Sequence, residues 1–575
     1  MKLSALLTIA IAASVATAQS TPPQPRQPPQ KCHCFPGDAC WPSISSWSKL
    51  NGTVGGRLIA TIPIGSPCHH PTYNAAECAA IQNSWTSPSI HLDSSSSVMA
   101  PYFANRSCDP FTVESSPCLL GNYVRYAVNV STVSDVIAGV KFAASNNIRF
   151  VIRNTGHDFL GRSTGAGALA VWTHHLKNIE FKQFSDKFYT GSAVKVGAGI
   201  EGYEIVTAAQ AQGQVVVGGE CPTVGLAGGY TQGGGHSALS TNFGLAADQT
   251  LEFEVVTASG SLVTASRTQN TDLYWALSGG GGGNYGIVVS MTVKTYPDAP
   301  VGGAGLQLSA AYTTKDNFYQ AIEQFHSLLP AMVDNGTMVV FYYTDNIFLI
   351  NPVTAYNKTG DDVKAILAPF TSALNNLKVP FSVSYTSSAT YAAHYQTYMG
   401  PLPYGNIGVS EYQFGSRLIP RSVVQENNPA LIAAYRNVTE AGVLVVGVAT
   451  DVSAPVKSGG ISNAVLPAWR DALIHSYLTT GWNSSASAWD DMLRDQELMT
   501  NDWVPQIEAV TPGSGAYMNE ADFRQPDFQN VFFGKNYNTL LNIKKKWDPT
   551  YLFYATAAVG SEAWTVADDG RMCRA

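Results

Sequence analysis

Residues Val215 to Gly244 read VVVGGECPTVGLAGGYTQGGGHSALSTNFG, and the fold is decided by how this stretch is read. It begins as a β-type apolar run, Val215-Val216-Val217. It then becomes a loop with glycine at 218, 219, 225, 228, 229, 233, 234 and 235. Glycine takes positive φ at no steric cost and lets the backbone approach a ligand closely. Successive backbone N–H groups in such a loop can cradle a pyrophosphate. One cysteine, Cys221, sits in the middle.

The other cysteines set Cys221 apart. They are Cys32, Cys34, Cys40, Cys68, Cys78, Cys108, Cys118 and Cys573. Met1 to Ala18 reads as a secretory signal: Lys2 is the charged start, Leu6 to Val15 the apolar centre and Ala16-Thr17-Ala18 the small-residue cleavage site. In an oxidising compartment nine cysteines leave one over. We infer four disulfides among the eight outside the glycine loop, one of them tying Cys573 to the N-terminal region. Cys68–Cys78 and Cys108–Cys118 suit local bridges, although sequence leaves connectivity open. The Cys32-x-Cys34 and Cys40 spacing does not suit zinc. Sequons at Asn51, Asn105, Asn129, Asn335, Asn357, Asn437 and Asn483 fit an extracellular glycoprotein carrying N-glycans.

A chain of 575 residues exceeds one ordinary core, so two or three domains are expected. An apolar fraction of 45% makes it globular. A net charge of -7 argues against nucleic acid as a partner. Beyond the leader no segment has the apolar length to span a bilayer, so no membrane partner is expected. The 27 Tyr and 11 Trp can line a site with flat, hydrogen-bonding walls.

Going outward from the loop, residues 19–31 form a Pro/Gln linker and 32–116 a Cys-rich, irregular segment. Residues 117–297 alternate helix and strand. Residues 132–147 have helical apolar spacing. Arg149 to Arg153, Ala168 to Trp172 and Ala193 to Val196 read as strands, Gly202 to Gln212 as a helix and Leu251 to Ala265 as a hairpin. Asn270 is placed to cap a helix through Leu277, and strand Ile287 to Val293 follows. Residues 298–515 mix strands (Met338 to Tyr343, Phe381 to Tyr385, Val443 to Val448) with amphipathic helices (Asn317 to Leu329, Ala488 to Leu498). Asp490, Asp491 and Glu497 on the last helix read as a solvated face. Residues 516–575 contain a helix over Gly534 to Lys546 and should return to the first domain.

Five segments occur in a telling order: RNTGHDFLGRSTG (153–165), GGECPTVGLAGGYTQGGG (218–235), GLAADQTLEFEVVTASG (244–260), NTDLYWALSGGGGGNYGIV (270–288) and FFGKNYNTLLNIKKKWDP (532–549). Together they resemble the berberine bridge enzyme-like branch of the vanillyl-alcohol oxidase and p-cresol methylhydroxylase superfamily. The Cys-rich start, CHCFPGDACWPS, is similar to that of secreted fungal members, including those named isoamyl alcohol oxidases. The resemblance implies an α+β fold: a two-part FAD-binding domain over 117–297, rejoined by 516–575, and a substrate domain over 298–515 whose antiparallel sheet is backed by helices.

The same resemblance implies FAD held by two covalent bonds. His157 would attach to the flavin 8α-methyl carbon and Cys221 to ring carbon 6. This chain has Arg153-Asn154-Thr155-Gly156-His157 where many relatives have Ser-Gly-Gly-His; the Gly-His pair is kept. Arg153, Asn154, Thr155, Gly156, Asp158, Gly219, Pro222, Thr223, Val224, Gly225, Gly228, Gly229, Gly234, Gly235, Asn284, Tyr285, Gly286, Asn519 and Asn536 are expected along the cofactor. His236 is expected at the cofactor or substrate. Val224 matches a position that governs oxygen access, where valine goes with oxidases.

Tyr517 matches a tyrosine that serves some relatives as base, and Glu520, often Tyr in relatives, is the alternative acid/base. A phenol of pKa ~10 needs a nearby cation or donor to ionise at neutral pH. Tyr395 and Tyr412 are expected mainly as packing residues. The adjacent pairs His69-His70 and His174-His175 do not make metal ligands, and we assign no metal. The expected activity is a secreted FAD-dependent oxidase passing hydride from an alcohol carbon to flavin, with O2 reduced to H2O2. The alternatives are oxidation or oxidative cyclisation of a secondary metabolite, and carbohydrate oxidation.

Overall fold

Thr132 opens the first helix with a reciprocal cap. Its hydroxyl accepts from the Asp135 N–H, and the Asp135 carboxylate accepts from the Thr132 N–H. The helix, Val133–Ser145, buries Val136, Gly139, Val140 and Ala143 along one face. A Cβ on Gly139 would lie 2.8 Å from Val171 Cγ1, so the glycine lets the helix settle onto strand Leu169–Trp172. That strand runs parallel to Tyr126–Asn129 on one side and Phe150–Arg153 on the other. Leu58–Ala60 from the Cys-rich segment adds an antiparallel edge. The computed structural model describes residues 31–453 and 462–575. The leader and residues 19–30 of the linker lie outside the described residues.

A second sheet is wholly antiparallel. Its order is Ile179–Ser185, Thr190–Gly197, Ile287–Lys294, Thr250–Val256, Leu262–Ser266. The expected hairpin is its last pair. Asn270 does stand before helix Thr271–Leu277, but in the left-handed region, and its amide donates to Thr264 O instead of capping.

The third sheet carries seven antiparallel strands in the order Phe381–Ser388, Val301–Ser309, Ile347–Tyr356, Thr337–Tyr343, Leu444–Ala449, Ala472–Gly481, Tyr412–Pro420. Four of them, at 301–309, 347–356, 412–420 and 472–481, were not among the strands read from the sequence. Alternation along a strand sends successive side chains to opposite faces. Val339, Phe341 and Tyr343 meet helices Lys315–Asp334, Gly360–Asn376 and Asn428–Glu440 in one core. Met338, Val340 and Tyr342 point the other way, onto Val215, Val217, Ala238 and Leu239 of the glycine stretch. The sheet therefore roofs the loop. On the outer surface Asp490, Asp491 and Glu497 are exposed, as expected of a solvated face.

The tail closes the chain on itself. Cys573 bonds Cys32, across 541 residues. Cys34–Cys40, Cys68–Cys78 and Cys108–Cys118 complete the set, and Cys221 is free. Helix Tyr537–Trp547 places the Lys544 ammonium 2.6 Å from both Asn284 O and Phe553 O, which pins the tail to the second glycine run. Among the described residues no helix is long and apolar enough to cross a membrane. Asn105, Asn335, Asn357, Asn437 and Asn483 are exposed; Asn51 and Asn129 are half-buried.

Candidate active site

The β-type run is shorter than Val215-Val216-Val217 suggested. Only Gln214–Val215 forms a strand, pairing with Tyr296–Pro297, and the chain then leaves the ladder. The loop is stapled to the start of helix Gly202–Gln210. The Gly202 N–H donates to Val224 O at 3.0 Å, Tyr203 N–H to Pro222 O at 2.8 Å and Leu226 N–H to Ile200 O at 2.8 Å. Tyr395, a packing residue as expected, supports the loop from the substrate side: its hydroxyl lies 2.9 Å from Gly219 O and 3.1 Å from Glu220 O. The second glycine run sits against the first. Gly279 and Gly281 N–H both donate to Gln232 O, and a Cβ on Gly282 would come within 2.9 Å of Gly229 Cα.

Two reactive side chains converge here from different elements. His157 follows strand Phe150–Arg153 through a turn in which Gly156 has φ +93. A Cβ on Gly156 would strike the Arg153 guanidinium at 2.6 Å. His157 Nε2 and Thr223 Oγ1 are 2.7 Å apart, and Cys221 Sγ is 3.6 Å from the same hydroxyl. Burial, with the nearby His91 and Arg153, lowers the His157 pKa to about 3, so this imidazole is neutral. Burial raises the Cys221 thiol, Thr223 partly offsets this, and the carboxylates of Glu520 and Glu201 add to the rise. The residues fit FAD attached at two ring positions, because a neutral imidazole and an unpaired thiol face one small space. Arg153 Nε and Asn154 Oδ1 are buried there with no hydrogen-bond partner among the described residues.

Above the anchors lies a cluster that the motifs only half revealed. His236 Nε2 is 3.1 Å from Glu520 Oε2, and His475 Nε2 is 2.8 Å from the same oxygen. His236 Nδ1 faces Glu220 Oε2 at 3.6 Å, one residue before Cys221. Trp469 and Tyr517 complete the wall, with ring centroids 5.5 and 5.4 Å from that of His475. Burial disfavours a charged His236, yet Glu520 and Glu220 outweigh it and raise the pKa to about 10. Burial likewise opposes the Glu520 charge, but the two imidazoles hold the carboxyl well below its usual range. His475 is lowered, by burial first and by the His236 charge. Burial and then the Glu520 carboxylate push the Tyr517 phenol well above its ordinary value.

The remaining expected residues divide. Asn519 joins the site: its amide donates to Gly229 O and to the Tyr517 hydroxyl, each at 2.8 Å. Asp158 accepts from the Arg162 N–H. Arg153 donates to Ser97 O and His91 O, binding the Cys-rich segment to the His157 turn. The Asn284 amide donates to Val559 O and the Tyr285 hydroxyl to Gly280 O. Asn536 is spent on Ala464 O and Val465 O. Tyr412 is partly exposed at the edge of the sheet. His475 and Trp469 were missed. The one available signal was a histidine inside the apolar run Leu473-Ile474-His475-Ser476-Tyr477-Leu478, where a polar ring needs a buried partner.

Known proteins resemble this chain in sequence and fold. A model of the FAD binding domain matches residues 124–266, and a model described as berberine and berberine like matches 516–560. The chain is similar to the FAD-linked oxidoreductase ZEB1 of Gibberella zeae, with 55% identity over 547 residues, covering 95% of this chain and 96% of that one. It is 49% identical to the FAD-linked oxidoreductase patO of Aspergillus clavatus over 547 residues, covering 95% of each. The crystal structure of the VAO-type flavoprotein MtVAO615 from Myceliophthora thermophila C1 superposes with a TM-score of 0.90 at 40% identity, covering 95% of this chain and 100% of that one. At the level of fold alone, the glucooligosaccharide oxidase of Acremonium strictum, whose FAD is 6-S-cysteinyl and 8α-N1-histidyl, matches with a TM-score of 0.62 at 19% identity over 76% of this chain and 92% of that one.

Proposed function

The chain belongs to the FAD-linked oxidoreductases of the berberine bridge enzyme-like, vanillyl-alcohol oxidase type, and from that premise we propose that it is a secreted alcohol oxidase. The observation that carries this is the convergence of His157 and Cys221 on the Thr223 hydroxyl beneath a wall bearing an ionised carboxylate and two imidazoles. His157 and Cys221 would hold FAD covalently, and the glycine runs would take its diphosphate at close range. When bound, the flavin supplies the hydride acceptor and returns the electrons to O2 as H2O2.

The chain's own residues do the rest. The Glu520–His236–His475 cluster manages the hydroxyl proton. Tyr477 and Phe414, half-buried beside the cluster with ring centroids 6.4 Å apart, offer flat apolar surface, and on that ground we favour an alcohol with an apolar skeleton over a sugar. The likeness to solved carbohydrate oxidases is one of fold alone, at 21% identity or less. Four disulfides and five exposed sequons support export and N-glycosylation.

Peroxide release by the purified holoenzyme against panels of alcohols, sugars and phenolics tests this. Alcohols of apolar skeleton should give peroxide. Should no alcohol release peroxide or bleach the flavin anaerobically, the reading is wrong.

A further inference from the structure

This inference rests on the reading that FAD is held at His157 and Cys221, and deepens it. We propose that Thr223 is the positioning residue for both attachments: its hydroxyl accepts from His157 Nε2, which leaves the lone pair on Nδ1 to bond the flavin, and gives its own hydrogen to Cys221 Sγ.

Thr223 is fully buried and held rigidly. The carbonyls on either side of it are tied down: Pro222 O accepts from Tyr203 N–H at 2.8 Å and Val224 O from Gly202 N–H at 3.0 Å. Within the turn, Val224 N–H donates to Cys221 O at 3.2 Å. A threonine side chain is stiff at χ1, so a fixed backbone fixes the hydroxyl. The His157 turn is locked against the same loop. A Cβ on Gly225 would lie 2.5 Å from Asn154 Oδ1, so glycine there lets the two segments interlock. The Asn154 amide in turn donates to Ala198 O.

The hydroxyl has one hydrogen and two neighbours, His157 Nε2 at 2.7 Å and Cys221 Sγ at 3.6 Å. Given to Nε2, that hydrogen forces the imidazole hydrogen onto Nδ1, which then has no pair to attack with. Given to Sγ, it leaves the oxygen to accept from Nε2–H. Nδ1 keeps its lone pair, and the sulfur gains a donor that favours its anion. One arrangement therefore readies both nucleophiles, and the other readies neither. Burial first, and then the neighbouring His91 and Arg153, keep the imidazole uncharged. Thr223, through its hydroxyl and its backbone N–H, draws the thiol down against the effect of burial. His157 and Cys221 both keep some exposed surface, where a flavin ring can meet them; Thr223 acts through them and needs none.

Each attachment forms one bond and releases two hydrogens. Nδ1 bonds the 8α carbon as one methyl hydrogen and the Nε2 hydrogen are lost. Sγ bonds ring carbon 6 as the hydrogen on that carbon and the thiol hydrogen are lost. Each bond leaves one electron pair in excess on the flavin, and O2 takes that pair with the two protons as H2O2. After the first bond Nε2 has become an acceptor, and after the second the sulfur is a thioether that accepts only weakly. The Thr223 hydroxyl then turns from Sγ to donate to Nε2.

The test compares the full-length wild type, Thr223→Val and Thr223→Ser, each also carrying Cys221→Ala to isolate the histidyl bond or His157→Ala to isolate the cysteinyl one. Occupancy of each bond in the purified holoenzymes is read by mass spectrometry of the peptides bearing 157 and 221. Its rate is read on the same chains produced under riboflavin limitation, from acid-precipitated flavin after FAD is added at pH 6 to 9. Quenching of FAD fluorescence on mixing reports binding before attachment. The groups facing Cys221 are Glu520 on the tail, Glu201 before helix Gly202–Gln210 and Tyr395 from the substrate side; those facing His157 are His91 and Arg153.

Thr223→Val should slow the histidyl bond by ~5–10-fold at every pH, the worth of one neutral hydrogen bond. The cysteinyl rate should climb with pH as the thiol ionises, and Thr223→Val should displace that climb to higher pH, because the hydroxyl lowers the thiol pKa. Thr223→Ser should keep both rates, and FAD binding before attachment should be the same in all three. If the wild-type peptides carry no flavin, the attachment reading falls and this assignment with it. If the wild type is doubly attached and Thr223→Val forms both bonds at the wild-type rate, the assignment alone falls. It falls too if Thr223→Ser is as slow as Thr223→Val, since the packing of the methyl group and not the hydroxyl would then set the rate.

Discussion

The Thr223 hydroxyl lies 2.7 Å from His157 Nε2, joining residues 66 apart in the chain. Cys221 Sγ is close to the same hydroxyl, so one small side chain stands between the two proposed attachment atoms. In the tautomer whose Nε2–H donates to Thr223, Nδ1 of His157 keeps its lone pair, and the described residues give it no hydrogen bond.

Two independent attachments make a specific prediction. His157→Ala and Cys221→Ala should each leave the protein yellow after acid precipitation, because the other bond persists. The double variant should release its flavin into the supernatant. Thr223→Val should lower the bound fraction without abolishing it. In-gel flavin fluorescence after denaturation reads all four. A single variant that loses all its flavin would show that only one attachment forms.

Val224 stands half-buried on the same turn, its carbonyl tied to the Gly202 N–H at 3.0 Å. The backbone is therefore fixed three residues after Cys221, so a longer side chain adds bulk beside that turn without moving it. Val224→Leu should slow reoxidation of the reduced flavin by O2 and leave reduction by substrate nearly unchanged. Rapid mixing of photoreduced enzyme with oxygenated buffer measures this; an unaltered rate would rule out the steric gate.

The imidazole and carboxylate groups also predict stability against pH. His236 is raised from 6.5 to about 10 in the folded chain, so its contribution is complete below 6.5 and is lost as pH climbs through about 10. Glu520 is lowered from 4.5, so its contribution is present above 4.5 and is lost on acidification. Thermal midpoints should thus hold between these limits and fall on both sides. In Glu520→Gln the midpoint should drop within the plateau, and the alkaline fall should begin at lower pH as His236 loses its partner. A midpoint in Glu520→Gln matching the wild type from pH 5 to 9 would refute the coupling.

Some of this was legible in the chain and some was not. The helical apolar spacing over residues 132–147 is a local signal, and helix Val133–Ser145 answers to it. The Cys-Pro-Thr-Val turn and the unpaired Cys221 were visible because cysteine arithmetic and glycine spacing are one-dimensional. The strand Ala472–Gly481 was not. It is buried on both faces, so it lacks the alternation that marks a half-exposed strand, and its partners Leu444–Ala449 and Tyr412–Pro420 are long-range. His475 was hidden with it. Its importance comes from Glu520, 45 residues away in another domain segment, and no local pattern encodes that pairing. The amides of Asn284 and Asn536 donate to backbone carbonyls of Val559, Ala464 and Val465, long-range pairings that no local pattern encodes.

The tail's attachment can be tested without substrate. Lys544 and Asp548 are 2.7 Å apart with side chains 1% and 0% exposed. Lys544 also donates to Asn284 O and Phe553 O, while Asp548 accepts from the Leu552 and Phe553 N–H groups. Removing the cation leaves a carboxylate in the interior with two backbone N–H donors and the Thr550 hydroxyl, along with two carbonyls that have lost their partner. Breaking a buried pair in this way costs about 3–5 kcal/mol. Lys544→Met fills most of the volume, so the loss it reports is electrostatic and not a cavity. Its unfolding free energy should fall by that amount, read as a lower urea midpoint at unchanged slope, and adding Asp548→Asn should recover part of it by removing the stranded charge. Recovery is the discriminating result. If the double variant is no more stable than Lys544→Met, the tail is held by packing of Leu540 and Ile543, and the ion pair contributes little.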